Sequence, residues 1–142
     1  MIRVVLDTNI IVSAYVSELG LPAWVLRLAL AGRLSLYVSE AILLEYQEVL
    51  QREHLRINRS RQRRLMALIR KASTLINPMI KTPASPDPDD VMFLACAEAA
   101  KAHYLITGNI RHFPSRWKYT KIVTPRAFID IWKDLRSEYD LP

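Results

Sequence analysis

At 142 residues, with 51% hydrophobic and 24% charged, the chain can bury a core without disulfide or metal staples and is too apolar to be disordered. Lys and Arg (20) outnumber Asp and Glu (14), a formal charge of +6 that favours an anionic partner. Nucleic acid leads; a membrane surface follows far behind, because the cations do not line one helix face opposite large apolar residues.

The opening Met1–Leu6 run is too short for a signal peptide, and no apolar stretch of about 18 residues occurs, so no membrane span is expected. The single cysteine, Cys96, excludes an internal disulfide framework and fits a reducing, cytoplasmic setting.

Ile2–Leu6 is continuously apolar and β-branched, which predicts a buried strand ending where Asp7-Thr8-Asn9 turns the chain. Ile10–Ser17 predicts a short helix. After the Gly20-Leu21-Pro22 break, a second helix runs through Ala23–Leu30 and stops before Gly32. A strand at Leu34–Val38 leads to Ser39, an N-cap for a helix whose Ile42, Leu43, Tyr46, Val49 and Leu50 recur at helical spacing. Asn58 to about Ala72 predicts a basic helix with Leu65, Met66, Leu68 and Ile69 on its apolar side, and Thr74–Met79 a strand.

Lys81–Pro88, with three prolines, is the clearest loop. It delivers Asp87 as N-cap, Pro88 at the first helical position, and Asp89 and Asp90 in a first turn that favours acids. That helix runs through the alanine-rich Leu94–Ala100 and precedes a strand at Tyr104–Thr107 and a turn at Gly108-Asn109. A last strand, Lys121–Val123, meets a helix opened by Thr124-Pro125, with Arg136–Pro142 expected to fray. One domain over residues 1–142 is expected: α/β, with a mainly parallel sheet covered on both faces, because strands separated by helices build that arrangement.

Ligands of such sheets bind beyond the carboxyl ends of the strands. Asp7 follows one strand, Asn109 follows another, and Asp90 opens the helix leading into the latter, so these positions can meet on one edge. Each has a plain alternative. Asp7 alone is as good a turn-former as a ligand, Asp87 and Asp89 are explained by capping, and Glu45, between apolar Leu44 and Tyr46, has an ambiguous facing. Cys96 between alanines reads as core. His54, His103 and His112 lack partners at zinc spacing. Trp24, Trp117 and Trp132 read as core or interface anchors.

Five segments together resemble the PIN-domain ribonucleases, and more narrowly the PIN-family toxins of prokaryotic toxin–antitoxin modules. They are Val4-Val5-Leu6-Asp7-Thr8-Asn9, Leu44-Glu45-Tyr46, Asp87-Pro88-Asp89-Asp90, Tyr104-Leu105-Ile106-Thr107-Gly108-Asn109 and Val123-Thr124-Pro125-Arg126-Ala127-Phe128. The individual motifs are short; their order and spacing carry the likeness over nearly the whole chain. The resemblance implies a three-layer α/β/α sandwich and an endoribonuclease centre dependent on Mg²⁺ or Mn²⁺. By motif position it implies Asp7 and Asp90 as metal ligands, and Asp7, Glu45 and Asp90 as the catalytic acids. Thr8, Asn9, Thr107 and Asn109 would support them by hydrogen bonds. Many family members carry an Asp where this chain has Asn109, which weakens the case for a second metal.

On this reading a metal-activated water attacks the phosphodiester in line, with Glu45 orienting or deprotonating it. RNA is the expected substrate and a small antitoxin protein the expected partner. A homodimer is compatible with the family, although no residue pattern argues for one. Arg111, Arg116 and Lys118 follow the Asn109 turn and are expected to steer the RNA backbone; His112 could stack on a base. The arginine-rich run from Arg52 to Arg64 is a second basic surface, for RNA or for protein. Two rivals stand: a catalytically weak PIN domain acting as an RNA-binding or regulatory module, and a phosphohydrolase forming an aspartyl phosphate on Asp7. The second lacks the usual acid at Asn9.

Overall fold

The computed structural model describes residues 1–52, 58–79 and 88–139. Strands β1 (Arg3–Leu6), β2 (Ser35–Val38) and β3 (Ser73–Leu75) are separated by helix pairs: α1 (Thr8–Val16) with α2 (Leu21–Leu30), then α3 (Glu40–Leu50) with α4 (Arg59–Ala72). The chain continues through α5 (Pro88–Ala100), β4 (Tyr104–Ile106), a 3₁₀ turn at Ile110–His112, β5 (Arg116–Trp117), β6 (Thr120–Val123) and α6 (Pro125–Tyr139). The predicted loop from Lys81 and its cap at Asp87 lie outside the described residues, as do His54 and Arg56.

Among the described residues the six strands form one sheet in the order β3-β2-β1-β4-β6-β5. Every neighbouring pair is parallel except β5 with β6. From β1 the order advances one way to β2 and β3, then returns across β1 to β4 and β6. Right-handed crossovers place the connections for these two directions on opposite faces, which yields the expected α/β/α layering. The reversal falls between β1 and β4, and there the two following segments diverge and open a crevice.

The core explains the element choices. Val4, Val5, Leu6, Leu105 and Ile106 are fully buried, as continuous apolar runs in a sheet covered on both faces should be. Ser39 caps α3 by accepting from the Ile42 N–H at 3.2 Å, and Asn58 caps α4 by accepting from the Arg61 N–H at 3.0 Å. Trp132 on α6 is buried and meets Trp24 on α2 edge to face, with ring centroids 6.5 Å apart. Cys96 is fully buried, and burial pushes its thiol up to about 12, a core residue rather than a nucleophile.

Several bounds differ from expectation. Helix α1 begins at Thr8 rather than Ile10, because the Asp7 carboxylate caps it directly. Strand β3 ends at Leu75, short of Met79, since beyond Ile76 the residues Asn77-Pro78 favour a turn over a ladder. The hairpin strand β5 has no counterpart in the expected elements. Among the described residues no single helix is long and apolar enough to cross a membrane.

Candidate active site at the sheet switch point

The crevice is built from the ends of β1 and β4. These strands are in register through Leu6 and Ile106, and the Asp7 N–H extends the ladder by donating to the Ile106 carbonyl at 3.0 Å. Asp7 and Thr107 are thereby brought side by side. The Thr107 hydroxyl donates to Asp7 Oδ2 at 2.7 Å, and the Thr8 N–H donates to Oδ1 at 2.7 Å, so each carboxylate oxygen has a donor. Thr107 is fully buried, and its oxygen accepts from the Asn109 N–H at 2.9 Å and from Asn9 Nδ2 at 3.4 Å. Those two donors leave the hydroxyl proton directed at Asp7.

Helix α3 supplies the second acid. Tyr46, fully buried, donates its hydroxyl to the Leu6 carbonyl and ties α3 to the end of β1. The preceding residue, Glu45, is thereby turned toward the cleft, where Thr8 Oγ1 donates to its Oε2 at 2.6 Å. Its ambiguous facing in the sequence is resolved, while Glu48 stays exposed. Helix α5 supplies the third acid from its first turn: Asp90 is buried at 8% exposure and shares the cleft wall with Phe93, one turn on.

Asp7, Glu45 and Asp90 all line a cleft of about 420 Å³, together with Thr8, Asn9 and Asn109. The remaining walls are Val12 and Ser13 from α1, Val49 from the last turn of α3, Arg52 from just beyond that helix, and His112 from the 3₁₀ turn. Burial raises the Asp7 carboxyl above the ordinary 3.8, opposed by its two hydrogen bonds and by the nearby His112. Asn9 is occupied structurally, accepting from the Gly108 N–H at 3.0 Å as well as donating to Thr107. An acid–base role for it, as an aspartyl-phosphate chemistry would require, finds no support in this arrangement.

The basic residues expected beside Asn109 divide. Arg111 is exposed on the 3₁₀ turn and does not line the cleft. Arg116 pairs with Lys121, which is itself in register with Tyr104 at the start of β4. The β5 hairpin therefore carries Arg116 to the sheet edge and away from the carboxyl ends of the strands. Lys118 lies over the Trp117 ring at 5.0 Å. Arg52 and His112 line the cleft instead. Arg52 lies just past the C-cap of α3, where its N–H donates to the Val49 carbonyl at 3.2 Å, so its place on the cleft follows from how the helix ends.

Among the described residues no three His, Cys, Asp or Glu side chains form a ready-made ligand cluster. The two buried carboxylates, Asp7 and Asp90, nevertheless line the same cleft as hard oxygen donors, the chemistry that Mg²⁺ or Mn²⁺ accepts with several waters retained. Burial opposes the Asp7 charge, and a divalent cation there would favour its ionised form. The residues fit such an ion.

Residues 3–111 match the PIN domain family. An uncharacterized protein of Methanocaldococcus jannaschii is 30% identical over 141 residues, covering 91% of this chain and 90% of that protein. The crystal structure of VapBC2 from Rickettsia felis bound to a DNA fragment from their promoter superposes with a TM-score of 0.60. It covers 87% of this chain and 98% of that chain at 15% identity, a likeness of fold. PIN domains are generally nucleases. With that family match spanning β1 through the 3₁₀ turn, and with the acids of its motifs meeting at the switch point, the chain belongs to the PIN-domain family.

Proposed function

We propose that the chain is a metal-dependent endoribonuclease acting as the toxin of a toxin–antitoxin module. The observation that carries this reading is the convergence of Asp7, Glu45 and Asp90 on one cleft at the carboxyl end of the parallel sheet. Asp7 and Asp90 would hold Mg²⁺ or Mn²⁺, which when bound neutralises phosphoryl charge and acidifies a water. Thr107 and Thr8 fix the Asp7 carboxylate through both of its oxygens. Glu45, held by the Thr8 hydroxyl, takes the proton from the attacking water. Arg52 and His112 on the rim offset the acids' repulsion of the RNA backbone.

The fold likeness to VapBC2, which was crystallised with a DNA fragment from their promoter, supports a small antitoxin protein as inhibitor. The reading carries RNA as substrate and the cytoplasm as its setting. Its test is cleavage of a mixed RNA pool with Mg²⁺, Mn²⁺ or EDTA, beside folded Asp7→Asn and Asp90→Asn variants. Metal-dependent cutting lost in both variants is expected, with kcat lowered at least about 100-fold. A folded wild type that binds RNA under either metal without cutting would instead favour the regulatory, RNA-binding reading. Asn109 supports that rival: it lines the cleft as a neutral amide where many family members place a carboxylate.

A further inference from the structure

A second cavity lies on the other side of α3. It measures about 660 Å³ and is lined by α4 on one side and by α3 and its C-cap on the other. One wall is a ladder of arginines on a single face of α4: Arg59, Arg63 and Arg70, at i, i+4 and i+11, span about 16 Å of helix axis. All three are exposed. The opposite wall presents Gln47 and Gln51, one turn apart on α3, over a floor of Leu50 and Met66. Among the described lining residues there is no carboxylate and no aromatic ring.

The helix that carries the ladder is anchored. Asn58 caps α4, Gln62 Nε2 donates to the Leu50 carbonyl and joins α4 to α3, and Arg61 spends its charge elsewhere. Its guanidinium lies over the Tyr15 ring at 4.2 Å, donates to the Tyr15 carbonyl at 2.6 Å and sits 3.7 Å from Glu18. The chain leaving α3 touches both the groove and the acid cleft. Consecutive residues at the end of α3 serve the two spaces, Gln51 the groove and Arg52 the cleft.

We infer that the α3–α4 groove binds the sugar–phosphate backbone of single-stranded RNA flanking the cleavage position, the strand crossing the end of α3 past Arg52. Arginine and glutamine donors match phosphate and hydroxyl oxygens, and the described lining carries no carboxylate to repel them. Without aromatic rings the described lining offers no stacking platform, so the groove adds affinity without reading sequence. The inference deepens the nuclease reading and rests on it for the identity of the ligand. Its binding test does not require cleavage.

The experiment measures the salt dependence of binding to a single-stranded RNA of about 16 nucleotides and to one of about 4. The wild type is compared with Arg59→Gln/Arg63→Gln/Arg70→Gln and with Arg64→Gln/Lys71→Gln/Arg126→Gln, which removes equal charge from exposed positions outside the groove. Thermal melts verify folding. The groove variant is expected to lower the log–log salt slope for the long RNA by about 2, leave the short RNA unchanged, and raise KM for long-RNA cleavage while sparing kcat. The matched variant should keep most of the slope. Equal losses in both triple variants, or an unaltered slope in the groove variant, overturn the inference. So does polyglutamate binding that depends on the three arginines while RNA binding does not, which marks a site for acidic protein. If the wild type cuts no RNA, the nuclease reading fails, whereas the slopes still decide the groove.

Discussion

Asp7 is asked for three things at once: it ends β1, caps α1 and carries charge into the cleft. Its burial works against the last. Because the folded-state pKa is raised, the native protein holds this proton more tightly than the unfolded chain. The corresponding stability is complete below the ordinary 3.8 and is lost as pH rises through the raised value. Asp7→Asn should therefore gain stability relative to the metal-free wild type as pH rises from acid to neutral, while abolishing cutting. Asn still caps α1 through its one acceptor oxygen but turns an amide NH2 toward the Thr107 hydroxyl, a loss present at every pH. The charge is therefore read from the pH dependence of the difference in melting temperature; a difference that does not change with pH would refute it.

Thr107 makes the complementary case. Val in its place fills the same volume yet strands the Asn109 N–H and removes a donor from a buried carboxylate. A loss of about 1–3 kcal/mol is expected in denaturant unfolding, with Thr107→Ser restoring most of it and most of the activity. Asp7, Glu45, Asp90 and Asn109 could be chosen from the sequence because each belongs to a short motif. Arg52 and His112 were named for RNA, one in the basic run and one as a stacking side chain, but their place on the acid cleft was not readable, for it depends on where α3 ends and how the 3₁₀ turn is wound, which no local pattern states. Arg116 and Lys118 were expected on proximity in sequence, and the antiparallel turn to β5 separates them from it.

Among the elements, the helices were readable because each carries its own start signal: Asp7, Pro22, Ser39, Asn58, Pro88 and Pro125 all stand at or within a residue or two of a helix start. Strands β1, β2, β4 and β6 are short apolar runs with a partner on each side, and those were found; β3, at the sheet edge, was expected to run on to Met79. Strand β5 was missed because two residues, Arg116 and Trp117, contain no period to detect; only pairing with β6 defines them. Capping also has a functional consequence in α3. Ser39 is 5% exposed and holds the first turn of the helix that carries Glu45. Ser39→Ala should cost about 1 kcal/mol and lower the melting temperature by about 3 °C. The effect on kcat should stay small, because the Tyr46 and Thr8 contacts position Glu45 independently of the cap.

Charge is segregated across the molecule: the acids converge at the switch point, and the arginine ladder occupies the far side of α3. A net charge of +6 would draw RNA in without selecting where it lies; the separation selects. If affinity resides in the groove and cutting in the cleft, the two should respond differently to metal removal. EDTA should stop cleavage completely yet reduce affinity for long single-stranded RNA less than about 3-fold. In contrast, Arg59→Gln/Arg63→Gln/Arg70→Gln should weaken that affinity at any metal concentration. The converse follows for stability. Mg²⁺ at about 100 times its dissociation constant should stabilise the wild type by about 2.7 kcal/mol and stabilise Asp7→Asn much less, while the arginine variants should respond like wild type. Affinity and cleavage lost together on adding EDTA would place the RNA's main anchor in the cleft itself, with the α3–α4 groove left to another partner.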